Sequence, residues 1–203
     1  MSRFRLFALL AAALATALVL AACGDDDGGG GGSEEDEAAI TETIETATSS
    51  TDASECTELQ TQSFVEQTQY KRGEEAIDAC TEDAGDTIAD SVDVSGIEVD
   101  GDSATAQAAF TGGGLNGQTL TLSLVKEGDA WKLDRIDEFA EFDQGAFADA
   151  LAEEASSDGE SDQQLVDCVL RAVTDADSEE LQSAYLSGDE DELIRLFAQC
   201  FGG

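Results

Sequence analysis

The chain has 203 residues, enough for one ordinary domain with a small addition, and 41% are hydrophobic, which excludes a fully disordered chain. Its 46 acidic residues stand against 9 basic ones, a formal net charge of -37, which repels nucleic acid and anionic headgroups and favours cationic partners; adaptation to high salt gives a similar balance. Histidine is absent, which removes the commonest general base and metal ligand.

The first 22 residues have the layout of a secretory signal peptide. A basic start over residues 1–5 precedes an uncharged apolar run over residues 6–20, which is short for the ~30 Å hydrocarbon core of a membrane. The ending Leu20-Ala21-Ala22-Cys23 resembles the bacterial lipobox, whose cysteine thiol takes a diacylglycerol and becomes the first mature residue. We therefore predict a signal peptide over residues 1–22 and a lipid anchor on Cys23, at the extracytoplasmic face of the cell membrane. Plain secretion and a retained membrane anchor are the alternatives.

Residues 23–36 are expected to form a flexible tether behind the lipid. They contain three consecutive aspartates, five consecutive glycines and a second acidic run. Such a segment has too few apolar side chains to build a core. The first folded domain is therefore expected to begin at residue 37.

Four further cysteines are predicted to form two disulfides. Cys56, Cys80, Cys168 and Cys200 are an even set, which outside the reducing cytoplasm is typical of a disulfide framework. Three pairings are possible. We favour Cys56–Cys80 and Cys168–Cys200, because each pair closes one helical segment. Zinc binding disagrees with the spacing, since no pair has the C-x2-C separation, and no base is visible to activate a free thiol.

Helices are predicted before the sheet. Apolar residues at helical spacing indicate a first helix over residues 37–49. Asp52 or Ser54 is expected to cap a second helix. Residues 61–67 either continue this helix or form a third one. A last short helix is predicted over residues 74–81.

From residue 88 the hydrophobic period changes to two, which predicts strands. Apolar alternation over residues 92–99, 104–110, 120–124 and 131–136 is separated by glycine-containing turns. The pattern indicates an antiparallel meander with one apolar and one polar face. Helices followed by such a sheet give an α+β fold.

One predicted strand places small side chains in a row on its inward face. Two physical uses remain open: the alanines let a helix approach the sheet closely, or they leave a dry pocket for an apolar group beside larger residues. The candidate pocket residues are Ala104, Ala106, Ala108, Phe110, Leu122 and Trp131.

Residues 143–203 are predicted to form a small C-terminal helical unit. Asp143 is expected to cap its first helix, residues 156–162 to form a polar linker, and residues 165–203 to form a hairpin or three-helix unit. Amphipathic helices pack on a core more often than they dock a partner, so we expect this unit to pack on the sheet. A protein-binding appendage is the alternative.

The order of elements resembles the nuclear-transport-factor-2-like superfamily, which includes SnoaL-like domains and many small bacterial lipoproteins. The resemblance covers about residues 37–140. It lies in the sheet-ending segment LVKEGDAWKL (124–133) and in CTELQTQSF (56–64) with its later cysteine. It implies a cone over residues 37–142, in which a curved antiparallel sheet wraps helices and leaves room for a pocket. The superfamily holds enzymes, binding domains and oligomerisation modules, so the fold alone implies no function.

The sequence favours a non-catalytic binding or interaction module. Enzymes of this superfamily usually place an acid on the sheet facing the cone, whereas the inward positions here are apolar. Asp134, Asp137 and Glu138 lie near the last strand, but acids are abundant throughout the chain. No nucleophile elbow, phosphate loop or metal spacing is present, so no catalytic residue, metal or cofactor is predicted.

The expected partners are the membrane, through lipid on Cys23, and an envelope protein, a cell-wall component or a small apolar ligand, with no nucleic acid. A SnoaL-like isomerase or hydrolase with an acid in the cone is the alternative.

Overall fold

The structure is a computed structural model that describes residues 34–84, 88–157 and 163–201. Within these ranges helices precede a curved four-stranded antiparallel sheet, and further helices follow it, so the predicted α+β fold is confirmed. The predicted signal peptide (1–22), the candidate lipid site Cys23 and most of the predicted tether lie outside the described residues.

The first helix begins earlier than expected. The described helices before the sheet are α1 (Glu34–Ser49), α2 (Glu55–Glu58), α3 (Gln62–Gln69) and α4 (Glu74–Glu82). Residues 34–36, assigned to the tether from sequence, belong to α1 because Asp36 is anchored to the sheet. Its carboxylate accepts hydrogen bonds from Lys126 Nζ at 2.7 Å and Trp131 Nε1 at 3.0 Å. Acidic residues also suit the positive end of the helix dipole.

Residues 61–67 start a separate helix. Thr61 has an extended backbone, and its hydroxyl accepts a hydrogen bond from the Phe64 backbone N–H, so it is the N-cap of α3. Its own N–H donates to the Leu133 carbonyl at 2.8 Å. This contact holds the start of α3 against the last strand.

The sheet is the predicted meander. Its strands are β1 (Ser91–Asp100), β2 (Ser103–Thr111), β3 (Thr119–Glu127) and β4 (Ala130–Glu141), and each pairs antiparallel with the next. β4 continues five residues past its predicted end at Ile136. Three register irregularities between β3 and β4 allow Ile136 and then Phe139 to reach the buried face, which a strict alternation does not reveal.

A bulge also bends β1. Val92 and Val94 occupy even positions, whereas Ile97 and Val99 occupy odd ones. The register shifts between Ser95 and Glu98, and this change of phase keeps both pairs in contact with the core. Bulges increase local bending and twist, so the irregular pairing of β1 and β4 accounts for the curvature of the sheet.

The stripe of alanines lies in a packed core. Ala104, Ala106 and Ala108 are at most 4% exposed and share one buried cluster with Ile40 and Ile44 of α1. Helix α1 contacts both outer strands, β1 and β4, across the concave face. The small side chains therefore admit α1, which is the first of the two uses predicted for them.

The helices after the sheet are α5 (Gln144–Ser157), α6 (Gln163–Asp175), α7 (Ser178–Leu186) and α8 (Glu190–Phe201). Asp143 caps α5 as predicted, since its Oδ1 accepts hydrogen bonds from the N–H groups of Gly145 and Ala146. α5 includes the first two residues of the predicted 156–162 linker, and the remainder, 158–162, lies outside the described residues.

The two disulfides have the predicted local pairing. Cys56–Cys80 joins α2 to α4, and Cys168–Cys200 joins α6 to α8. Each bond therefore closes a loop inside one helical part of the chain. Neither bond connects the sheet domain to the C-terminal helices.

The C-terminal helices pack on the sheet domain, as expected. Tyr185 of α7 contacts Phe139 of β4 with ring centroids 5.5 Å apart, and Phe147 of α5 at 5.6 Å. Tyr70, which follows α3, donates its hydroxyl hydrogen to the Tyr185 carbonyl at 2.9 Å. An aromatic cluster therefore joins the sheet, α3, α5 and α7.

Gln67 of α3 completes this junction. Its Nε2 donates to the Ile136 carbonyl at 2.9 Å and to the Leu186 carbonyl at 2.8 Å, while its Oε1 accepts from the Ile136 N–H. Gly188 passes directly over it with a φ of 62°, and a Cβ there would lie 2.9 Å from Gln67 Cα. One side chain thus connects α3, β4 and the end of α7.

The packing of the alanine stripe predicts the effect of a larger side chain. Ala106→Leu should lower the free energy of unfolding by about 1–3 kcal/mol, because the added atoms have no space beneath α1. Ala109→Leu is the control, since Ala109 lies on the opposite, partly exposed face of the same strand. Chemical denaturation of both variants measures the difference. Equal stability of Ala106→Leu and the parent chain would contradict the packing described.

The junction at Gln67 predicts a second stability effect. Gln67→Ala should cost about 1–3 kcal/mol, because the Ile136 and Leu186 backbone groups lose their partner. It should also speed hydrogen exchange in α7. The control is Gln62→Ala on the exposed side of α3, where we expect a change within about 0.5 kcal/mol. Unchanged protection of α7 in the Gln67 variant would show that this side chain does not hold the C-terminal helices.

Candidate functional site

A cavity of about 390 Å³ opens at one end of the concave face of the sheet. This volume falls within the range usual for small-molecule sites. The floor consists of large apolar side chains that are at most 8% exposed. These are Phe64, Phe110, Leu120, Leu122 and Ile136.

The walls come from three parts of the chain. Ala47 and Thr48 lie at the C-terminal end of α1, and the Cys56–Cys80 disulfide contributes both of its residues. Leu151 of α5 and Tyr185 of α7 close the side formed by the C-terminal helices. The C-terminal helices therefore contribute one wall of the cavity.

The rim of the cavity is acidic. Asp52 and Asp83 are exposed, and Glu55 is half-buried. The Asp52 carboxylate accepts a hydrogen bond from the Ser54 N–H at 3.0 Å, and bonding to the Ser54 backbone and hydroxyl lowers the pKa of Asp52. Ile88, 37% exposed, is an apolar member of the same lining. The floor of the cavity is thus lined by buried apolar side chains, and the opening by more exposed side chains that include charged ones.

The structure brings together only part of the predicted pocket. Phe110 and Leu122 line the cavity. Ala104, Ala106 and Ala108 do not line it, because they are covered in the core shared with α1. Trp131 does not line it either, since it is 2% exposed and its Nε1 is bonded to Asp36 at the other end of the sheet. The space therefore lies beyond the alanines, towards the end of β2.

Sequence analysis missed the walls supplied by Tyr70, Leu151 and Tyr185. These residues belong to separate helical segments, and only tertiary packing brings them to one cavity. The sequence offered one signal, which is that the chain has just two tyrosines and both belong to the helical parts. Buried tyrosines usually need a partner for the hydroxyl group, and Tyr70 finds one in the other tyrosine's carbonyl.

Tyr70 is a largely buried ionisable side chain of the described cavity lining. Burial raises the pKa of Tyr70 far above its ordinary value, so its hydroxyl stays protonated and acts as a hydrogen-bond donor. Among the described residues the buried polar side chains are Thr43 and Gln118, and no carboxylate is buried. In the described part no three metal-ligating side chains are arranged so that together they could hold a metal ion.

The acids noted near the last strand lie outside the cavity. Asp134 accepts a hydrogen bond from the Thr61 hydroxyl at 2.9 Å. Asp137 pairs with Arg135 Nε at 2.7 Å and accepts a hydrogen bond from Ser123. None of these residues is part of the cavity lining, and their bonds hold neighbouring elements in place.

The chain matches no protein-family model, no curated protein and no solved structure. Among the helices that the structure describes, none has both the length and the apolar character needed to cross a membrane. The cavity and its lining are therefore the observations from which a function can be inferred.

Proposed function

We propose that the protein is a lipid-anchored extracytoplasmic lipoprotein whose folded part binds a small, mainly apolar molecule without transforming it. The observation that carries the proposal is the cavity of about 390 Å³ with its floor of five large apolar side chains. Such a concave site, open on one side and bordered by polar groups, is the usual form of a small-molecule site. Water in contact with this floor has few partners, so an apolar ligand that displaces it gains affinity.

The proposed location has support from two features. The lipobox-like sequence ends at Cys23, only eleven residues before the start of α1 at Glu34. The folded part carries two disulfides, and such bonds persist in oxidising compartments outside the cytoplasm. Anchoring through Cys23 would hold the cavity close to the membrane surface.

We also propose membership of the nuclear-transport-factor-2-like superfamily. The order of helices followed by a curved antiparallel meander supports this proposal. A cavity between the concave face and the helices supports it further. The C-terminal helices, α5 to α8, would then be an addition that completes the wall of the cone's pocket.

The enzymatic alternative requires a proton-transfer group inside the cavity. The carboxylates of the lining, Asp52, Glu55 and Asp83, lie at the rim rather than beside the floor. Tyr70 is protonated and already bonded to a carbonyl. No observation favours an isomerase or hydrolase over a binding protein.

Filling the cavity tests the binding proposal. Nile red, an uncharged dye whose emission rises in apolar surroundings, should bind the folded protein at one site. Ala47→Phe should weaken this binding at least about tenfold, because the ring would occupy space that the dye needs. Fluorescence titration measures the affinity, and an unfolding curve shows whether the variant remains folded.

A matched variant separates occupancy from a general change in α1. Ala38→Phe adds the same side chain to an exposed position of α1 that does not line the cavity. Its affinity for Nile red should equal that of the parent chain. Failure of the parent chain to bind the dye, or equal losses in both variants, would overturn the binding proposal.

The anchor is tested on protein isolated from cells that produce it. Intact-mass analysis should show a form that begins at Cys23 and carries the mass of a diacylglycerol. Cys23→Ser should release the protein from the membrane fraction, because the thiol that takes the lipid is gone. A mature protein that still begins at Met1 would contradict this expectation.

A further inference from the structure

We propose that the cavity binds a cationic amphiphile, with the apolar body on the floor and the positive head at the acidic rim. This inference rests on the proposed binding function and adds the charge class of the ligand. The observation that carries it is that the charged side chains around the opening are acidic, with no basic side chain among the described lining residues.

The rim carboxylates come from separate segments that meet at the opening. Asp52 lies in the loop between α1 and α2, Glu55 begins α2, and Asp83 follows α4. The Cys56–Cys80 disulfide ties α2 to α4 and so keeps two of these segments together. The disulfide therefore keeps Glu55 and Asp83 in neighbouring parts of the lining, and Asp52 lies three residues before Glu55.

No positive charge compensates them. The described part holds seven of the chain's nine basic residues, and none of the seven lines the cavity. Four of them pair with acids elsewhere: Arg72 with Glu66, Lys126 with Asp36, Lys132 with Glu127, and Arg135 with Asp137. Within the described ranges no rim carboxylate forms an ion pair. The charged side chains of the described lining are therefore all acidic.

The acidic rim is expected to select ligands by the sign of the charge on their head group. Opposite charges attract a cationic head towards the rim, and like charges repel an anionic head of the same chain length. The whole protein, at a net charge of -37, adds a longer-range field of the same sign. Salt screens both effects. The contribution of the rim can be separated from that of the overall field by neutralising the same number of carboxylates at the rim in one variant and away from the rim in another.

The experiment compares three ligands with one chain length. Dodecyltrimethylammonium, dodecanol and dodecanoate, each below its aggregation concentration, compete with bound Nile red. We expect the cation to displace the dye at a concentration at least about tenfold lower than dodecanoate does, with dodecanol between them. The ratio of the dodecanoate concentration to the cation concentration needed for displacement should fall at high salt. The Debye length is about 10 Å at 0.1 M salt and about 3 Å at 1 M salt, so the rim charges are then largely screened.

Two triple variants locate the effect. Asp52→Asn/Glu55→Gln/Asp83→Asn should reduce the preference for the cation to about threefold or less while dodecanol binding stays unchanged. The control, Asp93→Asn/Glu98→Gln/Asp100→Asn, removes the same charge from exposed positions of β1 outside the lining. It should keep the preference of the parent chain.

The outcomes distinguish this inference from the function on which it rests. Dye binding with equal displacement by cation and anion would overturn the charge class and leave the binding function standing. Equal losses of preference in the two triple variants would also overturn it, since the overall field would then be responsible. Absence of dye binding in the parent chain would instead overturn the binding function itself.

Discussion

The concave face of the sheet is apolar along its whole length, and water has to be excluded from it. Two covers share this task. Helix α1 lies over the end that holds Trp131 and the alanine stripe, where the small side chains let it approach. The other end is covered by α3 together with the C-terminal helices, through Phe64 and Tyr185. Helix α1 on one side, and α3 with the C-terminal helices on the other, leave a space between them, and this space is the cavity. Hydrogen bonds and aromatic contacts hold the two covers in place.

Glutamine side chains make several of these connections. Gln67 bonds to β4 and α7. Gln118, 1% exposed, exchanges hydrogen bonds with the backbone of Asp143 and so fixes the start of α5. Gln144 donates to the Val173 and Ala176 carbonyls at the end of α6. A neutral amide both donates and accepts, and it avoids the desolvation penalty of a buried charge.

The sequence predicted the elements better than their contacts. Period-two alternation located the four strands of the described sheet, and the helix signals at residues 61–67 and at Asp143 correspond to observed helices. The disulfide pairing followed from the same division into helical parts. The extension of β4 to Glu141 was missed, because bulges break the alternation on which the prediction depended.

The site could be predicted only in part, for a related reason. Alternation assigns residues to a face, and it correctly placed Phe110 and Leu122 on the concave one. It carries no information on which part of that face a helix covers. Asp36 was read as part of a polar spacer, yet its bonds to Lys126 and Trp131 fix where α1 begins and hence which end is sealed. The walls from Leu151 and Tyr185 depend on contacts between residues more than a hundred positions apart, such as Gln67 to Leu186.

The placement of the disulfides has a kinetic consequence. Each closes a loop within one part of the chain, with sequence separations of 24 and 32 residues. The docking of α7 on the sheet domain therefore depends on hydrogen bonds, aromatic contacts and apolar packing, and local opening of such a junction costs less free energy than global unfolding. Neither disulfide therefore prevents this wall of the cavity from opening locally. A molecule bound in the cavity would then have two routes of release, the open rim and transient detachment of the C-terminal helices.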